Sequence, residues 1–130
     1  MKPDFDNSSP IYQQIIEMIK VLISKGDYGP GEKVASVREL AVTFGVNPNT
    51  VQRALAKLEE MGYLHTERTS GRYVTKDLEA IEQLKSEILA RIMNEFITRM
   101  QVAGIEGKDI IIYLKAYIER VEEDEPACKG

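Results

Sequence analysis

Between Pro48 and Leu58 the chain places Asn49, Thr50, Gln52, Arg53 and Lys57 among apolar residues, with no acid in the segment. Asn, Gln and Arg carry paired hydrogen-bonding groups that meet a base edge two bonds at a time, and Lys supplies a cation for phosphate. On composition alone, a solvated helix face accounts for the same string equally well. Arg38, two residues after Ser36, forms a second candidate group, since an Arg at a helix N-terminus makes a phosphate-binding corner. The plainer alternative is an Arg paired with a surface acid. Arg68, Ser70, Gly71 and Arg72 form a third. Glycine lets backbone approach a groove closely and Arg suits a narrow minor groove, although an ordinary exposed turn has the same local sequence. The single histidine, His65, and the single cysteine, Cys128, lie far apart, so neither a zinc site nor a Cys/His nucleophile pair is expected. His65 reads as a strand residue and Cys128 as a free surface thiol. No Gly-rich phosphate loop is present, and no metal or other cofactor is expected.

The elements that must position these groups follow from periodicity. Residues 1–9 are polar and expected to fray. Ser9 and Pro10 signal a helix start, with Ser as cap, and Ile11, Ile15, Met18, Ile19, Leu22 and Ile23 form one apolar stripe ended by Gly26. After the turn Gly29-Pro30-Gly31, Ser36 and Glu39 are spaced as a capping box for a short helix that buries Leu40, Ala41 and Phe44. Gly45 ends it, and Asn47 with Pro48 caps and starts a third helix that buries Val51, Ala54, Leu55 and Leu58 up to Gly62. The period then changes to two short strands, 63–67 and 72–75, around the turn 68–71. Helix, helix, tight turn, helix and hairpin is the order of a winged helix-turn-helix, whose second motif helix enters the major groove. That placement favours DNA readout over a bland helix face for Asn49 to Lys57.

Downstream the helical period returns. Leu84, Ile88, Ile92, Phe96 and Met100 lie four apart on a long helix ended by Gly104, and a final helix near 108–123 presents Ile111, Leu114, Tyr117, Ile118 and Val121. Two such helices cannot enclose their own apolar faces against so small a domain, so a second subunit is the expected cover. Leu84, Ile88, Ile92, Phe96, Leu114 and Ile118 are the residues expected at that interface. The acidic run 122–125 and the tail to Gly130 are expected to be solvated.

Composition is consistent with this reading. The 130 residues are 43% apolar and 29% charged, the balance of a folded, soluble chain. The formal net charge is −4, yet 31–76 carries seven Lys or Arg against five acids, and 77–130 carries seven against twelve. The middle third is thus the only basic part, and an acidic protein still binds a polyanion through a local basic patch. No apolar run is long enough to cross a bilayer, no membrane partner is expected, and the first ten residues lack the apolar stretch of a secretion signal. With one cysteine there is no internal disulfide, and a reducing cytoplasm is the expected location.

The stretch from Pro10-Ile11-Tyr12 to Val74 also resembles the GntR family of bacterial transcription regulators. The matching segments are Pro30 to Ala41, Gly45 to Leu55, Leu58 to Gly62, and the wing from Arg68 to Val74. In particular, Asn47-Pro48-Asn49-Thr50-Val51-Gln52-Arg53 followed by a short two-helix C-terminal part is similar to the YtrA branch. The resemblance implies a homodimeric repressor, often of membrane-transporter genes. It also implies that Arg38 contacts phosphate and base, that Asn49 to Arg53 form the recognition helix, and that Gly71 is the wing glycine. Two positions depart from the pattern. Ala35 stands where the family usually has Pro, and Pro48 stands where many relatives carry a DNA-contacting Arg. Base preference must then rest on Asn49, Thr50, Gln52 and Arg53.

The expected architecture is mainly α with a small β-hairpin: a winged helix-turn-helix at 1–76 and a two-helix dimerisation segment at 77–130. The expected DNA-binding residues are Ser36, Arg38, Asn47, Asn49, Thr50, Gln52, Arg53, Lys57, Arg68, Ser70, Gly71 and Arg72, acting on double-stranded DNA from a homodimer. The rival is a winged helix that docks a protein, with the acidic C-terminal part as its working surface. An enzyme is a distant third, because no two catalytic groups fall at a spacing that a helix or hairpin would bring together. The sequence names no operator and no small-molecule effector.

Overall fold

The computed structural model describes residues 4–124, in the order α1 (Ile11–Lys25), α2 (Val37–Phe44), α3 (Pro48–Glu60), β1 (Leu64–Glu67), β2 (Gly71–Val74), α4 (Leu78–Val102) and α5 (Gly107–Asp124). Glu125, Cys128 and the rest of the expected solvated tail lie outside the described residues.

Each short helix is bounded by the local chemistry that its sequence supplies. At α2 the Ser36 hydroxyl accepts from the Glu39 N–H at 3.1 Å, and the Glu39 carboxylate accepts from the Ser36 N–H at 3.1 Å, a complete capping box. Gly45 ends α2 at φ 70°, with its N–H on the Ala41 and Val42 carbonyls. Two residues later the Asn47 side chain accepts from the Asn49 N–H at 2.7 Å and Pro48 occupies the first position of α3. The start of α1 differs from expectation. Pro10, with ψ 146°, is itself the residue before the helix, so Ser9 lies one position too early and no side chain caps α1. Gln14 donates to the Ser9 and Asp6 carbonyls at 2.7 and 2.9 Å and so ties the preceding segment to the first turn without capping it.

β1 and β2 pair antiparallel, from Leu64 opposite Val74 to Glu67 opposite Gly71. A third segment, which the sequence does not announce, joins them. Lys33 bridges Tyr73, the Val34 N–H donates to the Arg72 carbonyl, and the Val74 N–H donates to the Glu32 carbonyl, both at 2.9 Å. β2 is therefore held on both edges, and the root of the hairpin is fixed to the chain just before α2.

The N-terminal core gathers Ile15, Ile19 and Ile23 of α1, Leu40 and Phe44 of α2, Val51, Leu55 and Leu58 of α3, and Leu64 and Val74 of the strands. No polar side chain among the described residues is buried in it. Leu84 and Ile88 belong to this core as well, at 1% and 9% exposure. Their expected place between subunits is thereby corrected: the periodicity identifies the stripe on α4, but its first members are covered by their own chain. The N-terminal compact unit accordingly runs to Ile88 instead of ending at 76.

The second compact unit begins at Leu89 and contains the rest of α4, a turn through Gly104 at φ 91°, and α5. Ile110 is buried, whereas Ile92, Phe96, Leu114 and Ile118 are 37–54% exposed. A groove of about 530 Å³ runs between Phe96 and Met100 of α4 and Tyr113, Leu114 and Tyr117 of α5.

Candidate nucleic-acid interface

α3 divides its residues cleanly. Val51, Ala54, Leu55 and Leu58 are buried, and Asn49, Gln52, Arg53 and Lys57 are exposed on the opposite side, with Thr50 half-buried between them. The exposed face begins at the helix N-terminus, the end that meets base edges in this motif. Arg53 lies over the ring of Tyr12, its guanidinium carbon 3.8 Å from the ring centroid, and Lys57 pairs with Glu60 at 3.5 Å on an open surface. Asn47 is different. Its side-chain oxygen is engaged in capping α3, so its first role is to set the helix start.

Arg38 is exposed in the first turn of α2, next to the capping box. Glu39 in that box has its carboxyl below the ordinary value, chiefly through the Ser36 backbone hydrogen bond. A cleft of about 670 Å³ brings the cap Ser36 and Glu39 of α2 against Ser70, Gly71 and Arg72 of the wing, with Lys33 beside them. Arg68 and Ser70 are exposed in the turn, where the Tyr73 hydroxyl donates to the Ser70 hydroxyl at 2.8 Å. His65 sits in β1 as expected, stacked on Tyr73 at 6.0 Å between centroids.

Arg72 does not project from the wing. Its side chain is only 19% exposed, and its Nε donates to Glu59 at 3.2 Å. The Thr66 hydroxyl donates to the same carboxylate at 2.8 Å, so Glu59 ties the end of α3 to both strands. Glu59 is not among the candidates drawn from the sequence, because nothing adjacent to it in the chain marks a partner thirteen residues away. Its carboxyl is held below the ordinary value, first by the Thr66 hydrogen bond; partial burial opposes this, and the hydrogen bond and charge of Arg72 add to the lowering. A depressed pKa in the folded state contributes stability that is present above the unfolded value of about 4.5 and lost as pH falls through the folded value. Glu59→Gln is therefore expected to lose less stability than the parent between about pH 5 and pH 3, measured by urea unfolding at each pH. Parallel acid limbs for the two proteins would count against the tie.

Gly71 has φ 117°, a region that β-branched residues avoid, and a side chain there would meet Lys33 at 3.3 Å. Gly71→Val is expected to cost about 1–2 kcal/mol of stability through local strain, yet to weaken DNA binding clearly. A mobility-shift titration that shows unchanged affinity would mean that the tip does not approach DNA. Lys33 and Tyr12 are the other residues of this surface that the sequence left unassigned. Lys33 reaches it through a single bridge to β2, and Tyr12 through the packing of α1 on α3.

Comparison with known proteins gives a consistent result. Residues 11–74 match the family described as bacterial regulatory proteins, gntR family. The chain is 36% identical over 110 residues to the HTH-type transcriptional repressor YtrA of Bacillus subtilis, covering 84% of this chain and 85% of that one. A GntR family transcriptional regulator from Listeria monocytogenes superposes with a TM-score of 0.79 at 45% identity, over 86% of this chain and 98% of the other. The DNA-binding domain of AraR in complex with operator ORX1 aligns with 58% of the chain and 90% of its own length, with a TM-score of 0.51 at 29% identity.

Proposed function

This chain belongs to the GntR family of bacterial regulatory proteins, and we propose that it is a cytoplasmic homodimeric repressor that reads an inverted-repeat operator. The observation that carries the reading is the exposed face of α3. It offers Asn49, Gln52, Arg53 and Lys57 from a helix whose other side is locked into the core. Arg38 and the wing residues Arg68, Ser70 and Gly71 flank that face and supply phosphate and groove contacts. Arg72 supports the wing from within.

Dimerisation rests on the second unit, where Ile92, Phe96, Leu114 and Ile118 stay open in the single chain. Two copies would cover these faces and present two recognition helices to successive major grooves, about 34 Å apart. Similarity to YtrA supports repression as the sense of regulation, with its own operon and transporter-type genes as targets.

Selection of bound duplexes from a random-sequence pool by the full-length chain tests the reading. Enrichment of a two-fold symmetric site is expected, with half-site centres one helical turn, about 10 base pairs, apart. Recovery of no preferred sequence would overturn it, and so would a preferred site without symmetry.

A further inference from the structure

We propose that Tyr12 is a positioning residue for base readout, its ring setting the plane in which the Arg53 guanidinium is presented to DNA. The inference rests on the reading of α3 as the recognition helix. Arg53 has the longest side chain of that face, and no carboxylate among the described residues pairs with it. What it has is an aromatic platform. The guanidinium carbon lies 3.8 Å from the Tyr12 ring centroid, against 5.3 and 6.0 Å for the other cation–ring contacts described.

A stack of this kind engages only the face of the guanidinium. The N–H groups point outward in its plane and stay free, and it is through that edge that Arg meets O6 and N7 of guanine. A carboxylate partner would do the opposite, consuming the edge and cancelling the charge. The platform itself is anchored. Tyr12 stands in the first turn of α1, half-buried and packed against the N-terminal core, and its hydroxyl accepts from Gln13 Nε2 at 3.3 Å. Ring and guanidinium together line a shallow depression with Asn49 and Thr50, the first turn of α3. The chain thus holds Arg53 in one orientation before DNA arrives, which removes part of the ordering cost of binding and narrows the set of base pairs that it satisfies.

Affinities for the selected duplex and its single-base variants, at fixed salt, test this with the full-length protein and Tyr12→Phe, Tyr12→Leu, Arg53→Ala and the Tyr12→Leu/Arg53→Ala double variant. Arg53→Ala is expected to abolish discrimination at one or two base pairs per half-site, which identifies the pairs that Arg53 reads. At those pairs Tyr12→Leu should reduce discrimination roughly three- to tenfold, leaving other pairs unchanged, whereas Tyr12→Phe, which keeps the ring, should discriminate like the parent. In the Arg53→Ala background Tyr12→Leu should add nothing. Parental discrimination in Tyr12→Leu, with Arg53→Ala still defective, would overturn the role of Tyr12 alone. An equal loss at every base pair in Tyr12→Leu would do the same, marking a fold effect. Parental discrimination in Arg53→Ala would instead remove the base-reading role of Arg53, and the inference with it.

Discussion

Leu84→Ala is expected to lower the unfolding free energy of the N-terminal unit by about 2–5 kcal/mol, although position 84 lies beyond the winged helix as its sequence delimits it. Leu84 is 1% exposed and sits in one cluster with Ile15, Leu55 and Leu58, so truncation leaves a cavity in a close-packed interior. The effect is large because the domain is small and each buried leucine is a sizeable share of its net stability. Chemical unfolding followed by far-ultraviolet circular dichroism measures it. Lys85→Ala, one residue on and exposed, is the control and should change stability by less than about 0.5 kcal/mol. If Leu84→Ala matched that control, the first turns of α4 would not belong to this core. The same argument bears on truncation: a fragment ending at 88 keeps Leu84 and Ile88, whereas one ending at 76 exposes what they cover.

Ile92→Asp should have the other large effect, on assembly instead of folding. Ile92 is 54% exposed in the single chain, so a carboxylate there remains solvated in a monomer. Buried between two copies, the same carboxylate would cost several kcal/mol, and two-fold symmetry would impose the cost twice. Sedimentation should show a monomer at micromolar concentration, in contrast to the dimer proposed for the parent. Affinity for the two-half-site operator should fall roughly a hundredfold or more, because a single subunit makes half of the phosphate contacts. Melting of the N-terminal unit should be unaffected. A dimer that persists in Ile92→Asp would place the interface elsewhere, and a monomeric parent would remove it.

The parts of the fold that were legible in the sequence are those set by local chemistry. The capping box at Ser36 and Glu39, the Asn47-Pro48 start of α3 and the glycine stops depend on groups within four residues of one another, and the structure has each of them. The open face of α3 was legible for the same reason, because helical spacing separates Val51, Leu55 and Leu58 from Asn49, Gln52 and Arg53. Pairings across the fold were not legible. Arg72 is turned inward by Glu59, thirteen residues away, and nothing in the sequence around Arg72 distinguishes it from the exposed Arg68. Lys33 joins β2 through one bridge, too short to leave an alternating pattern. Leu84 and Ile88 share a spacing with Ile92 and Phe96, and periodicity says which face they occupy but not what covers it. At Ser9 the local reading is one residue off: Pro10, expected inside the first turn, stands just before the helix with an extended ψ of 146°.

The division of labour along α3 has an evolutionary consequence. On the proposed reading, fold and specificity share the same thirteen residues but in different letters: the buried ones hold the helix, and the exposed Asn49, Gln52, Arg53 and Lys57 lie outside the core. Exchanges at Asn49, Gln52 or Lys57 leave the apolar interior untouched and should be nearly neutral for stability. After a gene duplication, such a helix is free to drift toward a new operator while the scaffold remains intact, so two copies in one genome can part company in target without either passing through an unfolded intermediate. Arg53 is the exception, because its neighbour on α1 would have to change with it. Divergence at that position should therefore come in pairs, with residue 12 and residue 53 moving together.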